Sequence, residues 1–297
     1  VPMHPLTTFA TLAIKKNTSS TINRISTDSY ISSSPTPDVS FENVSFSENL
    51  YFYNDSVVTI TNANFTSGSI QTIYVYDNAQ LILKNITAVV GPDIRVYDNA
   101  VVKLINTNFS GNIKIYLNDY SKFYIENCTL DNTRVYSNDF SETYMYNTTI
   151  DLIYTYDNST LYANNITCYD DWYIKENSSI SIVNAIICDD LWLYDTATGY
   201  LNDVVFNATG DNIYLYDNIT IEVNGSDLQR VYLKGYYVQA NISFSNVSYI
   251  QSYSEYISFL INVTVDTVKH GFIINCLLYT SDAADEGLGV DLGGRRI

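Results

Sequence analysis

Ile94-Arg95-Val96-Tyr97-Asp98-Asn99-Ala100-Val101-Val102-Lys103-Leu104-Ile105-Asn106-Thr107-Asn108-Phe109 holds two phrases that return along most of the chain. The first alternates aliphatic residues with tyrosine and runs into Asp-Asn. It recurs at residues 73–78, 153–158 and 213–218, and worn copies start at Leu50, Ile113, Thr133, Trp172, Leu191, Val231 and Ile250. A fixed period of about twenty residues with strand alternation marks a β-solenoid, each repeat being one coil.

The second phrase places Asn two residues after an aliphatic residue and another apolar residue three further on. Examples are Leu104-x-Asn106-x-x-Phe109, Ile60-x-Asn62-x-x-Phe65, Ile125-x-Asn127-x-x-Leu130 and Ile182-x-Asn184-x-x-Ile187. Successive strand side chains point to opposite faces. Leu81, Leu83 and Asn85 should therefore share the inner face, as should Val102, Leu104 and Asn106. Buried singly, an amide is costly. In a column, each NH₂ can donate to the carbonyl oxygen of the Asn one coil away, so the expectation is an inward amide ladder.

These repeats resemble the right-handed parallel β-helix of pectate-lyase-like enzymes, autotransporter passengers and adhesin-like surface proteins. The Asn phrase is similar to the repeat of polymorphic outer-membrane and archaeal adhesin-like proteins. The resemblance implies an all-β, single-stranded parallel β-helix of about 10–11 coils of roughly 20 residues. It covers roughly residues 40–270, and the β-helix is expected to span residues 40–275. Residues 1–39, rich in Ser and Thr and closing on Ser-Pro-Thr-Pro, read as a leader, linker or degraded first coil. Residues 276–297 leave the pattern. Cys276-Leu-Leu-Tyr-Thr-Ser-Asp-Ala-Ala-Asp-Glu286 resembles the conceptual translation of a transposase-type sequencing adapter, and residues 290–297 fit its continuation. The alternative is a native flexible tail. As adapter sequence, it would be foreign to the protein and mark a metagenomic fragment.

The 28 tyrosines and a formal charge of −17 point to an outside address, secreted or at the cell surface, and against nucleic acid, which selects basic surfaces. Acidity also keeps a stack of strands soluble. Sequons at Asn54, Asn158, Asn177 and Asn218 lie after tyrosine strands and are open to glycans, although a chain rich in Asn, Ser and Thr makes sequons by chance. Asn85 and Asn127, expected inside, should stay unmodified. No run of ~20 apolar residues suggests a membrane span.

Outside the tail the cysteines are Cys128, Cys168 and Cys188; the last two lie about one coil apart, a spacing that allows them to sit one above the other. Side chains in such a column usually run parallel rather than bridge. Zinc has little to bind, since the histidines are His4 and His270. A serine triad lacks a well-placed base, and no phosphate loop or dinucleotide fingerprint is present. The acids Asp55, Asp77, Asp98, Asp119, Asp139, Asp157, Asp195 and Asp217 come once per coil, which reads as turn chemistry. Asp170, Asp171, Asp189 and Asp190 form the densest cluster and the first place to look for Ca²⁺; otherwise no cofactor is expected.

The outward face of the tyrosine strand is the candidate site. One column should hold Tyr51, Tyr74, Arg95, Lys114, Arg134, Tyr154, Tyr173, Trp192, Tyr214 and Tyr232; a second, Tyr53, Tyr76, Tyr97, Tyr116, Tyr136, Tyr156, Lys175, Tyr194 and Tyr216. Ring stacking along a β-ladder accounts for such columns at ~0.2–1 kcal/mol per pair. The functional alternative is a platform for a polysaccharide, glycoprotein or partner surface, with three adjacent basic positions to receive an acidic sugar. Two classes follow. One is a non-enzymatic adhesin-like rod with even coils. The other is a carbohydrate-active β-helix enzyme, a polysaccharide lyase or glycoside hydrolase, with several charged groups converging in a groove. Evenly sized coils favour the rod.

Overall fold

The computed structural model describes residues 29–269 apart from 32–37, 43–44, 47–48, 66–70, 90, 208–209, 236 and 254–255. The expected tail at 276–297 and most of the expected leader lie outside the described residues. Among the described residues there is no helix, and parallel strands stack as a β-solenoid of about ten coils. Ser29–Ile31 already pairs with Leu50–Phe52, so stacking begins ahead of residue 40.

One coil shows the plan. Asp93–Val96 carries the tyrosine phrase, a turn follows, Val101–Ile105 makes the second side and Asn108–Phe109 the short third. Val101–Ile105 pairs in register with Gln80–Lys84 in one neighbouring coil and Lys122–Glu126 in the other. Further along, strand pairing continues through corners that keep a single left-handed residue, such as Asn147, and the sides fuse. Glu142–Thr155 thus runs through three sides as one strand. Ile60, Leu83, Leu104, Ile125 and Met145 lie one above another, all fully buried. Each such side chain contributes roughly 1.5–3 kcal/mol over exposure.

The asparagine column corrects the expected alternation. Asn62, Asn85, Asn106, Asn127, Asn147, Asn165 and Asn184 have φ between 50° and 54° and are exposed. A left-handed residue breaks the two-residue strand period, so these side chains swing outward and their successors turn in. Asn tolerates that conformation better than most residues. The ladder itself exists, outside: Nδ2 of Asn106 donates to Asn85 Oδ1 at 3.3 Å, Asn147 to Asn127 at 3.1 Å and Asn165 to Asn147 at 2.7 Å. Asn85 and Asn127 are therefore not shielded from modification by burial. The successors, Ala63, Ile86, Thr107, Cys128, Thr148, Ile166 and Ala185, form a buried column. Thr107 and Thr148 donate their hydroxyls to carbonyls two residues back, and the Cys128 thiol does the same to Glu126 at 3.2 Å. Burial pushes that thiol up to about 11, which makes it a structural stand-in for a hydroxyl.

Cys168 and Cys188 do not stack. Cys168 pairs in register with Ile187 and is buried, so Cys188, one residue on, faces the other way; both are free thiols.

Candidate functional site

The tyrosine strands form a ladder whose outer face carries three columns, and its register corrects the expected membership. The middle column runs Tyr51, Tyr74, Arg95, Tyr116, Tyr136, Tyr154, Tyr173, Trp192, Tyr214, Tyr232. Lys114 and Arg134 pair with each other in a separate column one step earlier on the strand, so Arg95 interrupts the tyrosines alone. The cause is local. Ile113–Leu117 is extended toward its turn, and Asp119, not Ile113, sets its alignment with Asp98. Tyr97, Tyr156 and Tyr194 keep their place in the later column, where Asn118 and Asn138 fill the positions expected for Tyr116 and Tyr136.

The rings stand edge-on to solvent. Neighbours in a column are near-parallel at centroid distances of 4.8–5.0 Å, as in Tyr51–Tyr74, Tyr116–Tyr136, Tyr136–Tyr154 and Tyr154–Tyr173. That is the spacing of the strands themselves. Each ring face is covered by the next ring, and all the stripe's aromatic side chains are half-buried. Burial first, then crowding by neighbouring phenols, pushes Tyr76 up to about 12; Tyr194 and Tyr214 reach about 12, with burial again the first cause. Cations lodge among the rings. Lys175 Nζ lies 5.4–5.6 Å from the centroids of Tyr156, Tyr173 and Tyr194, Lys234 covers Tyr214, Tyr216 and Tyr232, and the Arg95 guanidinium sits 5.0 Å from the Tyr116 ring.

The edge that leads into the turns is a carboxylate ladder. Asp77, Asp98, Asp119, Asp139, Asp157, Glu176, Asp195 and Asp217 all have φ of 58–65°. A left-handed residue turns its N–H away from the direction followed by the rest of the coil, and the carboxylate of the next coil receives it. The Asp77 N–H donates to Asp98 Oδ2 at 3.1 Å, that of Asp98 to Asp119 at 3.1 Å, that of Asp119 to Asp139 at 3.0 Å, and that of Asp157 to Glu176 at 2.7 Å. Like charges stacked ~4.8 Å apart repel by about 1 kcal/mol in water. A hydrogen bond to a charged acceptor contributes about 1.5–3 kcal/mol, so the capped ladder prevails. Gly235 follows Asp217 in this column. A Cβ there would lie 2.0 Å from the Asp217 carbonyl oxygen, which excludes any other residue.

At the opposite edge the acids crowd. Oxygens of Asp170, Asp171 and Asp189 lie within 4.8 Å of one another. Asp190, expected with them, instead accepts from the backbone and side-chain nitrogens of Asn212, both at 2.7 Å. Asp171 accepts from the Tyr173 hydroxyl at 2.6 Å and from the Asp190 N–H at 3.2 Å. Burial, then the charges of Asp171, Asp190 and Asp170, raises the Asp189 carboxyl above its ordinary value; burial also raises Asp190 and Asp151. Beside this cluster a groove of about 450 Å³ is lined by Asn112, Asn132, Arg134, Asp151, Leu152 and Asp170.

A second aromatic column, outside the repeated tyrosine phrase, stands on the adjoining side of the coil. Tyr124, Tyr144 and Tyr162 stack at 4.8 and 5.1 Å, with Lys103 over Tyr124 and a 2.5 Å hydrogen bond from Tyr144 to Glu142, itself paired with Lys122 at 3.0 Å. Counting alternate residues outward from buried Phe123 and Ile125 would have found it. No family model, curated protein or solved structure matches the chain. Among the described residues no helix is long and apolar enough to cross a membrane.

Proposed function

We propose that the chain is a segment of a secreted or cell-surface adhesin-like rod, non-catalytic, whose tyrosine stripe meets a glycan or a partner's surface. The observation that supports this most directly is the evenness of the stack. Ladder contacts link residues 18–23 apart in coil after coil, and the repeated acids are spent on backbone caps. Edge-on rings offer phenolic hydroxyls and ring edges rather than open faces. A ligand on this stripe is therefore held by hydrogen bonds to hydroxyls more than by stacking.

A second reading is favoured by the groove at the acidic corner. There Arg134 stands with Asp151 and Asp170, and Asp170, Asp171 and Asp189 supply oxygens of the kind Ca²⁺ takes. In a carbohydrate-active enzyme those groups would hold an acidic polysaccharide and neutralise its charge.

Two assays separate the readings: a glycan array probed with the full chain, with and without Ca²⁺, and an assay for cleavage of acidic polysaccharides. Binding lost in Tyr154→Ala/Trp192→Ala/Tyr214→Ala but retained in Arg134→Ala supports the rod with a contact stripe. Ca²⁺-dependent cleavage lost in Arg134→Ala establishes the second reading and overturns the first. Absence of any binding, with the fold intact by circular dichroism, removes glycan contact from the proposal.

A further inference from the structure

We propose that the middle aromatic column is a relay for one-electron oxidation, entered at Trp192 and trapped at the Tyr173–Asp171 pair. From Tyr116 to Tyr232 the rings follow one another without a gap, at centroid separations of 4.8, 5.0, 5.0, 6.1, 3.8 and 4.9 Å. Trp192 is the junction, touching Tyr173, Tyr194, Tyr214 and Tyr216. On the other side of Tyr116 the column is broken by Arg95, whose guanidinium cannot be oxidised under these conditions and closes the relay at that end.

Two observations independent of the stacking give the relay a direction. The Trp192 Nε1–H is shielded from solvent and has no hydrogen-bond partner. When an external one-electron oxidant such as the azide radical takes an electron from the indole and becomes azide, the resulting cation radical has nowhere to release its proton and remains a strong oxidant. Tyr173 is placed for the opposite behaviour, because its hydroxyl already donates to Asp171 Oδ2 at 2.6 Å and the Asp190 N–H fixes the other carboxylate oxygen at 3.2 Å. One electron then passes from Tyr173 to the Trp192 cation radical while the phenolic proton crosses to Asp171. The products are neutral Trp192, a Tyr173 phenoxyl radical and a protonated Asp171, so charge and protons balance. Asp170 and Asp189, clustered with Asp171, draw the positive hole toward this end, and the Lys175 ammonium, 5.6 Å from the Tyr173 ring, offsets one of those charges.

The test is azide-radical pulse radiolysis of the full chain, following decay of the indolyl radical and growth of the phenoxyl radical. Growth should be first order and independent of protein concentration. Tyr173→Phe, which keeps the ring in the stack, and Asp171→Asn, which keeps the shape, should each slow it by about ten-fold, equivalent to ~1.4 kcal/mol in barrier. Asp171→Asn should also remove the rate difference between light and heavy water. Tyr144→Phe, in the column that lacks a tryptophan, should leave the rate unchanged. The proposal is overturned if both site variants transfer at the parent rate. It is equally overturned if phenoxyl growth matched to indolyl decay persists at the parent rate in Trp192→Phe, since Trp172, the one remaining indole, would then be the entry.

Discussion

The tyrosine ladder has acids along both edges, and they differ in spacing: one per coil at the turns, several crowded together at one corner. Along the turn edge, one acid per coil sits in a left-handed conformation and caps the reversed N–H of its neighbour. At the corner edge, Asp170, Asp171 and Asp189 are packed within 4.8 Å, and Asp189 and Asp190 are held above their ordinary ionisation range. The first arrangement relieves each charge with a donor. The second also receives donors, from the N–H groups of Asp190 and Asn212 and the Tyr173 hydroxyl, but gathers three carboxylates in one place beside a groove. Regular acids thus cap the turns of the solenoid, and the irregular acids are where carboxyls with raised values gather.

The comparison breaks most visibly at a ladder position. Asp119→Ala loses the acceptor for the Asp98 N–H and puts alanine at φ 59°. The two effects together should cost about 2–3 kcal/mol in urea denaturation. Asp119→Asn keeps the oxygen and the left-handed tolerance and should stay within about 0.5 kcal/mol of the parent. Equal losses in the two variants would mean that charge, not capping geometry, holds the turns. At the corner the sign reverses. Asp189→Asn relieves repulsion from Asp170 and Asp171 and should stabilise by up to about 1 kcal/mol. A loss there would show that the corner acids are structural like the ladder acids, and the distinction would fall.

How much of this was legible in the sequence depends on which residue sets the phase. The coils, the inward aliphatics and most of the stripe follow from a two-residue alternation that Ile73, Val75, Ile94 and Val96 state plainly. What alternation cannot show is a residue that leaves it. Asn85 and Asn106 sit two positions after buried leucines, so alternation places them inside, but a left-handed φ turns them out. The placement of Lys114 and Arg134 failed for a related reason. The phrase beginning at Ile113 aligns by its turn acid, so counting from its first aliphatic residue slipped the register and set three basic residues in one column. Glu176 departs from the Asp-Asn spelling of the turn, although it holds the same turn. The corner groove is assembled from four different coils with no shared spelling, and no local pattern announces it.

The subtlest expected difference is in pH dependence. Burial raises Asp151, Asp189 and Asp190 in the folded protein, so between those values and the ordinary Asp value of ~3.9 the folded state binds protons that the unfolded state does not. Stability should therefore rise as pH falls from neutrality through that window, and level off once the unfolded chain is protonated too. Glu142 acts the other way. Its hydrogen bond from Tyr144, then its pairing with Lys122, lowers its value, so its contribution is present above the unfolded Glu value of ~4.3 and is lost as pH falls through the folded one. Together these put the maximum in urea midpoint on the acid side of neutrality, with decline setting in only below the ordinary carboxylate range. Asp189→Asn should flatten the rising limb while leaving the decline at lower pH in place, because the lost term belongs to the corner and the retained one to the neighbouring side of the coil. A rising limb unchanged in that variant would move its origin away from the Asp170–Asp171–Asp189 cluster and toward the overall charge of −17, which acid relieves everywhere along the rod at once.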